Sequence, residues 1–162
     1  MAHAAWLLPL ALVVALPARA DDLSDHLARE RRLDTAGMST LTAWGGLNAL
    51  SGAVGWAATA KDDDPTWRAF HQMNLGWGLV NTGLAINGLV GALRTGDDPT
   101  TVADALRVNA NKQKLYLTMV GFDLAYLTAG TFLWIRGQQR GEPRTLGYGR
   151  SLVLQGAALL LF

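Results

Sequence analysis

The sequence predicts an all-α integral membrane protein: a helical bundle with three full transmembrane helices and a partial fourth. Half of its 162 residues are apolar and only 17% are charged, whereas a water-soluble domain carries about 25% charged residues. The charges cluster between long apolar blocks, which is typical of membrane proteins. One block, residues 70–93, contains no Asp, Glu, Lys or Arg. It holds Asn74, Asn81 and Asn87, so we expect it at the centre of the bundle.

Residues 1–20 have the features of a secretory signal peptide. An apolar run is followed by Ala18-Arg19-Ala20, an A-x-A ending suited to signal peptidase, although the usual basic start is almost missing. The alternative is an uncleaved anchor helix, which Pro9 and Pro17 disfavour. Cleavage predicts export into a bacterial inner membrane with the mature N-terminus extracytoplasmic. Lys and Arg are almost equally divided, with seven in the predicted outer segments and six in the inner ones. The distribution of positive charge therefore does not favour either orientation.

The remaining chain divides into a juxtamembrane segment, residues 21–36, and a transmembrane domain, residues 37–162. A 24-residue helix reaches about 36 Å, enough for a hydrocarbon core of about 30 Å. The last apolar segment reaches only about 18 Å, so either the chain stops inside a fourth helix or that helix is a half-span, and its abrupt end favours a chain cut short. The spans are predicted at about 37–60, 70–93 and 115–135, with the partial fourth at 151–162.

The connections between the spans contain helix-start signals. Asp63-Asp64-Pro65-Thr66 precedes the second span and Asp97-Asp98-Pro99-Thr100 precedes the third. Asp at an N-cap followed by Pro at the first helical position is a favoured start. A Ca²⁺ or Mg²⁺ site is the alternative, but successive loops lie on opposite sides of the membrane and cannot share an ion. We also expect residues 99–114 to extend the third span as a helix, residues 21–33 to form a surface helix or a solvated tail, and residues 136–150 to form a mobile loop.

The first two spans share a short repeat. Trp44-Gly45-x-x-Asn48 matches Trp77-Gly78-x-x-Asn81, and Gly55 and Gly88 fall at the same offset. Consecutive spans run antiparallel, so the repeat predicts a pseudo-two-fold axis in the membrane plane, as in the inverted repeats of transporters.

Polar side chains within the spans predict an intramembrane centre. Interhelical amide hydrogen bonds contribute about 0.6 kcal/mol each, so the asparagines are interpreted first as links between helices. Asp123 has two open interpretations. Desolvation favours its neutral form, which would donate to an Asn, with Tyr126 or Gln155 as other partners, or the acid is part of a proton or cation relay. The predicted centre consists of Asp123, Asn74, Asn81, Asn48, Trp77, Trp44, Tyr126 and Gln155.

Several function classes are disfavoured. The absence of cysteine excludes disulfides, thiol catalysis and the usual structural zinc sites. A net charge of +1 argues against nucleic-acid binding. The sequence contains no nucleophile–base pair, phosphate loop or metal-spaced cluster, so we predict no catalytic residue, no metal and no cofactor.

Three motifs resemble those of an uncharacterised family, a domain of unknown function found in small bacterial four-helix multi-pass membrane proteins. The motifs are Phe70-x-x-Met73-Asn74-x-x-Trp77-Gly78-x-x-Asn81, Gly121-Phe122-Asp123-x-x-Tyr126 and Gly147-Tyr148-Gly149-x-x-Leu152-x-Leu154-Gln155-Gly156. The resemblance implies this architecture, with a complete fourth span, and implies no activity.

We therefore expect a non-enzymatic structural or interaction subunit, with the lipid bilayer and a membrane-protein partner or a second copy as its contacts. The alternative is a small transporter or a proton- or ion-binding protein that uses Asp123 with Asn74 and Asn81.

Overall fold

A computed structural model describes residues 20–61, 64–94 and 98–161. Within these ranges the chain forms four α-helices and no strand, which confirms the all-α class. The predicted signal peptide, apart from Ala20, lies outside the described residues. The helices are α1 (Ala20–Ala58), α2 (Pro65–Leu93), α3 (Val102–Arg140) and α4 (Pro143–Leu161).

The helices pack as two antiparallel hairpins. α1 packs against α2, α3 packs against α4, and the hairpins join where α2 contacts α4. Because successive helices alternate in direction, α1 and α3 begin at the end of the bundle where α2 finishes. We call this end the amino-terminal end, and the end that holds the α1–α2 and α3–α4 connections the opposite end.

α1 and α3 are longer than the predicted spans. Each has 39 residues and is about 58 Å long, so the predicted extension at 99–114 is helical from Val102 onward. The segment at 21–33 is likewise part of α1, neither a separate surface helix nor a tail.

Ion pairs tie these two extensions together at the amino-terminal end. Lys112 Nζ lies 2.6 Å from Asp34 Oδ2 and 3.7 Å from Glu30 Oε2. Arg31 Nη2 donates to Asp98 Oδ1 over 2.6 Å. Partial burial acts to lower the pKa of Lys112, but the hydrogen bond to Asp34 and the nearby acidic charges outweigh it, so the pKa is raised.

The two predicted helix starts have different outcomes. Asp64 caps α2: its Oδ1 accepts from the Thr66 amide at 2.9 Å and the Thr66 hydroxyl at 2.6 Å, and Pro65 is the first helical residue. The second prediction is wrong, because Thr101 caps α3 by accepting from the Asp104 amide at 3.1 Å. Asp98 binds Arg31 instead.

We expect Asp64→Ala to destabilise the protein at neutral pH and to have no effect at low pH. The hydrogen bonds from Thr66 lower the pKa of Asp64 below its ordinary value. A depressed folded-state pKa contributes stability above the unfolded-state pKa, and this contribution is lost as the pH falls through the folded-state value. Thermal unfolding followed by helical circular dichroism across this range measures the difference. Asp25→Ala, which removes an exposed acid within α1, is the control for the loss of a carboxylate away from the α2 cap.

The predicted mobile loop at 136–150 is wrong. α3 continues to Arg140, Gly141 adopts a left-handed conformation with φ 62°, and α4 begins at Pro143. The glycines in this segment serve close helix contact: a Cβ on Gly137 would meet Leu146 of α4, and one on Gly147 would meet Thr66 and Ala69 of α2. α4 has 19 residues, about 28 Å, so the fourth helix is longer than predicted.

Candidate functional site

The interior of the bundle is polar and its surface is apolar. The only buried apolar side chains in the described residues are three alanines. Large Leu, Val, Ile, Phe and Trp side chains cover the outside instead. This reverses the usual distribution in water-soluble proteins, where such side chains form the core. The buried polar residues are Asn48, Thr66, Asn74, Asn81, Asp123, Ser151 and Gln155.

A hydrogen-bond network centred on Gln155 connects three helices. The Gln155 side chain of α4 is 0% exposed, and its Nε2 donates to Asn48 Oδ1 of α1 at 2.9 Å and to Asn74 Oδ1 of α2 at 3.0 Å. Ser151 Oγ donates to the same Asn74 oxygen at 2.6 Å. Three predicted residues therefore meet in one network. Ser151 is not among the predicted residues, although it lies one helical turn before Gln155 and so shares its face.

The aromatic members of the predicted centre separate into two places. Trp77 of α2 meets Tyr126 of α3 edge to face, with ring centroids 4.7 Å apart. Trp44 lies one turn before Asn48 on α1, and its backbone carbonyl accepts from Asn48 Nδ2 at 2.9 Å. Trp77 and Tyr126 thus link α2 to α3, whereas Trp44 adjoins the network.

Asp123 is buried without a hydrogen-bond partner. It is 8% exposed, and within the described part of the chain its carboxyl group makes neither a hydrogen bond nor an ion pair. The expected bond to an Asn, Tyr126 or Gln155 is absent there. The backbone carbonyl of Asp123 lies against Gly156, where a Cβ would come within 3.0 Å of it. Asp123 therefore adjoins the turn that contains Gln155.

Three more buried atoms of the predicted centre have no partner in the described residues. They are the indole nitrogen of Trp44, the amide nitrogen of Asn81 and the amide oxygen of Gln155. Asn81 is 3% exposed. Asn48, its counterpart in the repeat, is joined to Gln155, so the two repeat positions differ in their bonding.

The contacts between α1 and α2 follow the sequence repeat. A Cβ on Gly45 would meet Thr82, and one on Gly78 would meet Ala49, four residues after Gly45 as Thr82 is four after Gly78. Gly55 faces His71, and Gly88 correspondingly faces Met38. These reciprocal pairs are those that an antiparallel pseudo-two-fold produces.

Two properties of the described residues bear on the class of site. No group of three His, Cys, Asp or Glu side chains with the geometry of a metal site occurs there. By length and composition, α3 alone qualifies there as a membrane-crossing helix. Three full spans are therefore not established by this criterion.

In the part of the chain that the structure describes, the fold and the site define a bundle of four helices with a polar, hydrogen-bonded interior and an apolar exterior. The chain belongs to DUF6992, a family of unknown function, whose profile matches residues 40–162. This confirms the resemblance to an uncharacterised family. No curated protein and no solved structure matches the chain significantly.

Proposed function

We propose that the protein is a small multi-pass protein of the bacterial inner membrane that acts as a structural or interaction subunit. The observation that carries the proposal is the polar interior beneath an apolar surface. α3 adds support, because only 11% of its most apolar 18-residue stretch is buried. A core helix of a water-soluble protein would bury most of such a stretch.

The exposed faces of α1 and α2 support three full spans at about 37–60, 70–93 and 115–135. Glycine and asparagine lower the mean hydropathy of these two helices, and several of the glycines serve the contact between them rather than the outward face: Gly45, Gly52, Gly55, Gly78 and Gly88. Their outward faces carry large apolar side chains, as expected for helices with one face to lipid. These are Leu47, Leu50 and Val54 on α1, and Leu79, Val80, Leu84, Ile86 and Val90 on α2.

A structural role is supported by the hydrogen bonds that the buried polar side chains form between helices. Ser151, Asn74, Gln155 and Asn48 bond one helix to another, which is the role of amide side chains that hold membrane helices together. The proposal includes a membrane-protein partner or a second copy of the chain on the exposed apolar surface. It includes no enzymatic activity.

Two cysteine substitutions in this naturally cysteine-free chain test the proposal. Lys61 is exposed at the opposite end of the bundle, and Arg107 is exposed on the α3 extension at the amino-terminal end. In intact spheroplasts, we expect an impermeant maleimide to label Arg107→Cys and to label Lys61→Cys only after permeabilisation. Labelling of both from outside, or recovery of the protein in the soluble fraction, would contradict a membrane-spanning bundle. The reversed pattern would contradict only the orientation.

A second candidate is a small transporter or a proton- or ion-binding protein. The observation that favours it is that Asp123 and Asn81 are buried and unpartnered within the described residues, since an intramembrane acid usually marks a functional site. Asn74, the third residue of this hypothesis, is engaged by Ser151 and Gln155. If Asp123→Asn leaves the melting temperature unchanged or raises it, the acid is not required for folding and this candidate gains.

A further inference from the structure

We propose that the centre of the bundle is a hydration site. In this site ordered water is bound by the indole N–H of Trp44, the amide N–H of Asn81 and the amide oxygen of Gln155, beside the carboxyl group of Asp123. The inference rests on how the helices pack and on their unpartnered polar atoms. It therefore stands or falls separately from the membrane assignment.

Several buried polar atoms at the centre of the bundle have no hydrogen-bond partner within the described residues. A buried polar atom without a partner is destabilising, because it has lost its hydrogen bonds to water, and such atoms are few in folded proteins. Within the described residues three such atoms belong to Trp44, Asn81 and Gln155, and the backbone of Asp123, a residue that is itself mostly buried, lies against the neighbour of Gln155. An occupant that bonds to these atoms removes the destabilisation.

These groups lie within about two helical turns of one another along the bundle. Gln155 is bonded to Asn48, and Trp44 lies on the adjoining turn of α1. Gly45, next to Trp44, faces Thr82, the neighbour of Asn81, and Asn81 follows the other partner of Gln155, Asn74, by seven residues. Gly156, next to Gln155, lies against the backbone carbonyl of Asp123. Each of the four helices thus contributes one group to the same short stretch of the bundle.

The donors and the acceptor among these groups determine which occupant they can bind. Two N–H donors require an occupant with lone pairs, and a lone amide oxygen requires an occupant with a hydrogen to donate. Water supplies both and is held by two to four polar partners. The N–H groups of Trp44 and Asn81 would repel a metal cation, and the carboxyl group of Asp123, when ionised, would repel an anion.

Water-edited solid-state NMR of the full chain in lipid tests the proposal. With ¹⁵N-labelled tryptophan and Trp44→Phe to assign the signal, we expect the Trp44 indole to receive magnetisation from water. Asn81→Leu should abolish or slow this transfer, because it removes one of the groups that hold the water. Asn87→Leu, the same substitution at an exposed position of α2, should leave the transfer unchanged.

Thermal unfolding of the same two variants gives an independent result. If water is bound, Asn81→Leu lowers the melting temperature more than Asn87→Leu does. The proposal is overturned if the Trp44 indole receives no magnetisation from water, or if Asn81→Leu raises the melting temperature, since the atoms are then dry. It is also overturned if replacing Na⁺ with choline lowers the wild-type melting temperature and removes the transfer, because the occupant is then a cation.

Discussion

Gly78→Ala should destabilise the protein by about 1–3 kcal/mol, the usual cost of overpacking, whereas Gly76→Ala should stabilise it by about 0.5–1 kcal/mol. Both glycines lie within α2, where alanine is the better helix former. A Cβ on Gly78 would collide with the backbone of Ala49 and Gly45 on α1, whereas a Cβ on Gly76 would meet nothing within 4 Å. The contact with α1 therefore makes the change from glycine to alanine destabilising at position 78, although the same change is stabilising at position 76.

Denaturant unfolding in mixed micelles, followed by circular dichroism, measures both changes in the free energy of unfolding. Gly46→Ala on α1 is a further control, because a Cβ there also meets open space. If Gly78→Ala is as well tolerated as Gly76→Ala, the close crossing of α1 and α2 at the repeat is wrong. Destabilisation by all three would show instead that alanine is unfavourable in these helices generally.

Gln155→Met should lower the free energy of unfolding by about 1–3 kcal/mol, because it leaves buried carbonyl oxygens short of donors. Methionine keeps the length of the side chain but donates nothing to Asn48 or Asn74. Asn48 Oδ1 loses the one donor that it has in the described residues, whereas Asn74 Oδ1 keeps Ser151. The loss should therefore come mainly from the α1–α4 link.

A double-mutant cycle of Gln155→Met with Asn48→Ala isolates that link. We expect a coupling free energy of about 0.6–1.7 kcal/mol, which runs from the average to the largest value measured for polar contacts between membrane helices. Gln138→Met, at an exposed position near the end of α3, should have almost no effect. Additive effects of the two network substitutions would mean that Gln155 and Asn48 do not interact.

Much of the fold follows from periodic signals in the sequence. The apolar blocks of the described residues lie mainly within the four helices, and the Asp64-Pro65 pair starts α2 as predicted, because capping depends on residues that are adjacent in sequence. The prediction of a loop at 136–150 is wrong because the structure of this segment depends on contacts between residues that are distant in sequence. The glycines of this segment suggest flexibility, but in the fold they allow α4 to approach α2 and α3 closely. Asp98 likewise has the sequence pattern of a cap, but in the fold its carboxylate binds Arg31, which is distant in sequence.

The candidate site was predictable as a set of residues but not as a set of bonds. The sequence points to Asn74 because an amide is costly in hydrocarbon, to Asn48 through the repeat and to Gln155 as a possible partner of Asp123, and the network joins all three. Which of them pair depends on the register between helices, and no local spacing specifies that register. Ser151 was missed since serine is unremarkable at the start of an apolar segment. The lack of a partner for Asp123 is likewise a property of packing.

The central claim is that the exposed apolar surface faces lipid, and nitroxide accessibility along α3 tests it most directly. Spin labels are placed through cysteine at Phe122 and Phe132, which are 56% and 60% exposed, and at Lys61 as the aqueous reference. In lipid vesicles we predict that oxygen relaxes the labels at Phe122 and Phe132, whereas a water-soluble nickel chelate relaxes the label at Lys61. If the chelate reaches all three labels equally, α3 lies in water and the account is contradicted.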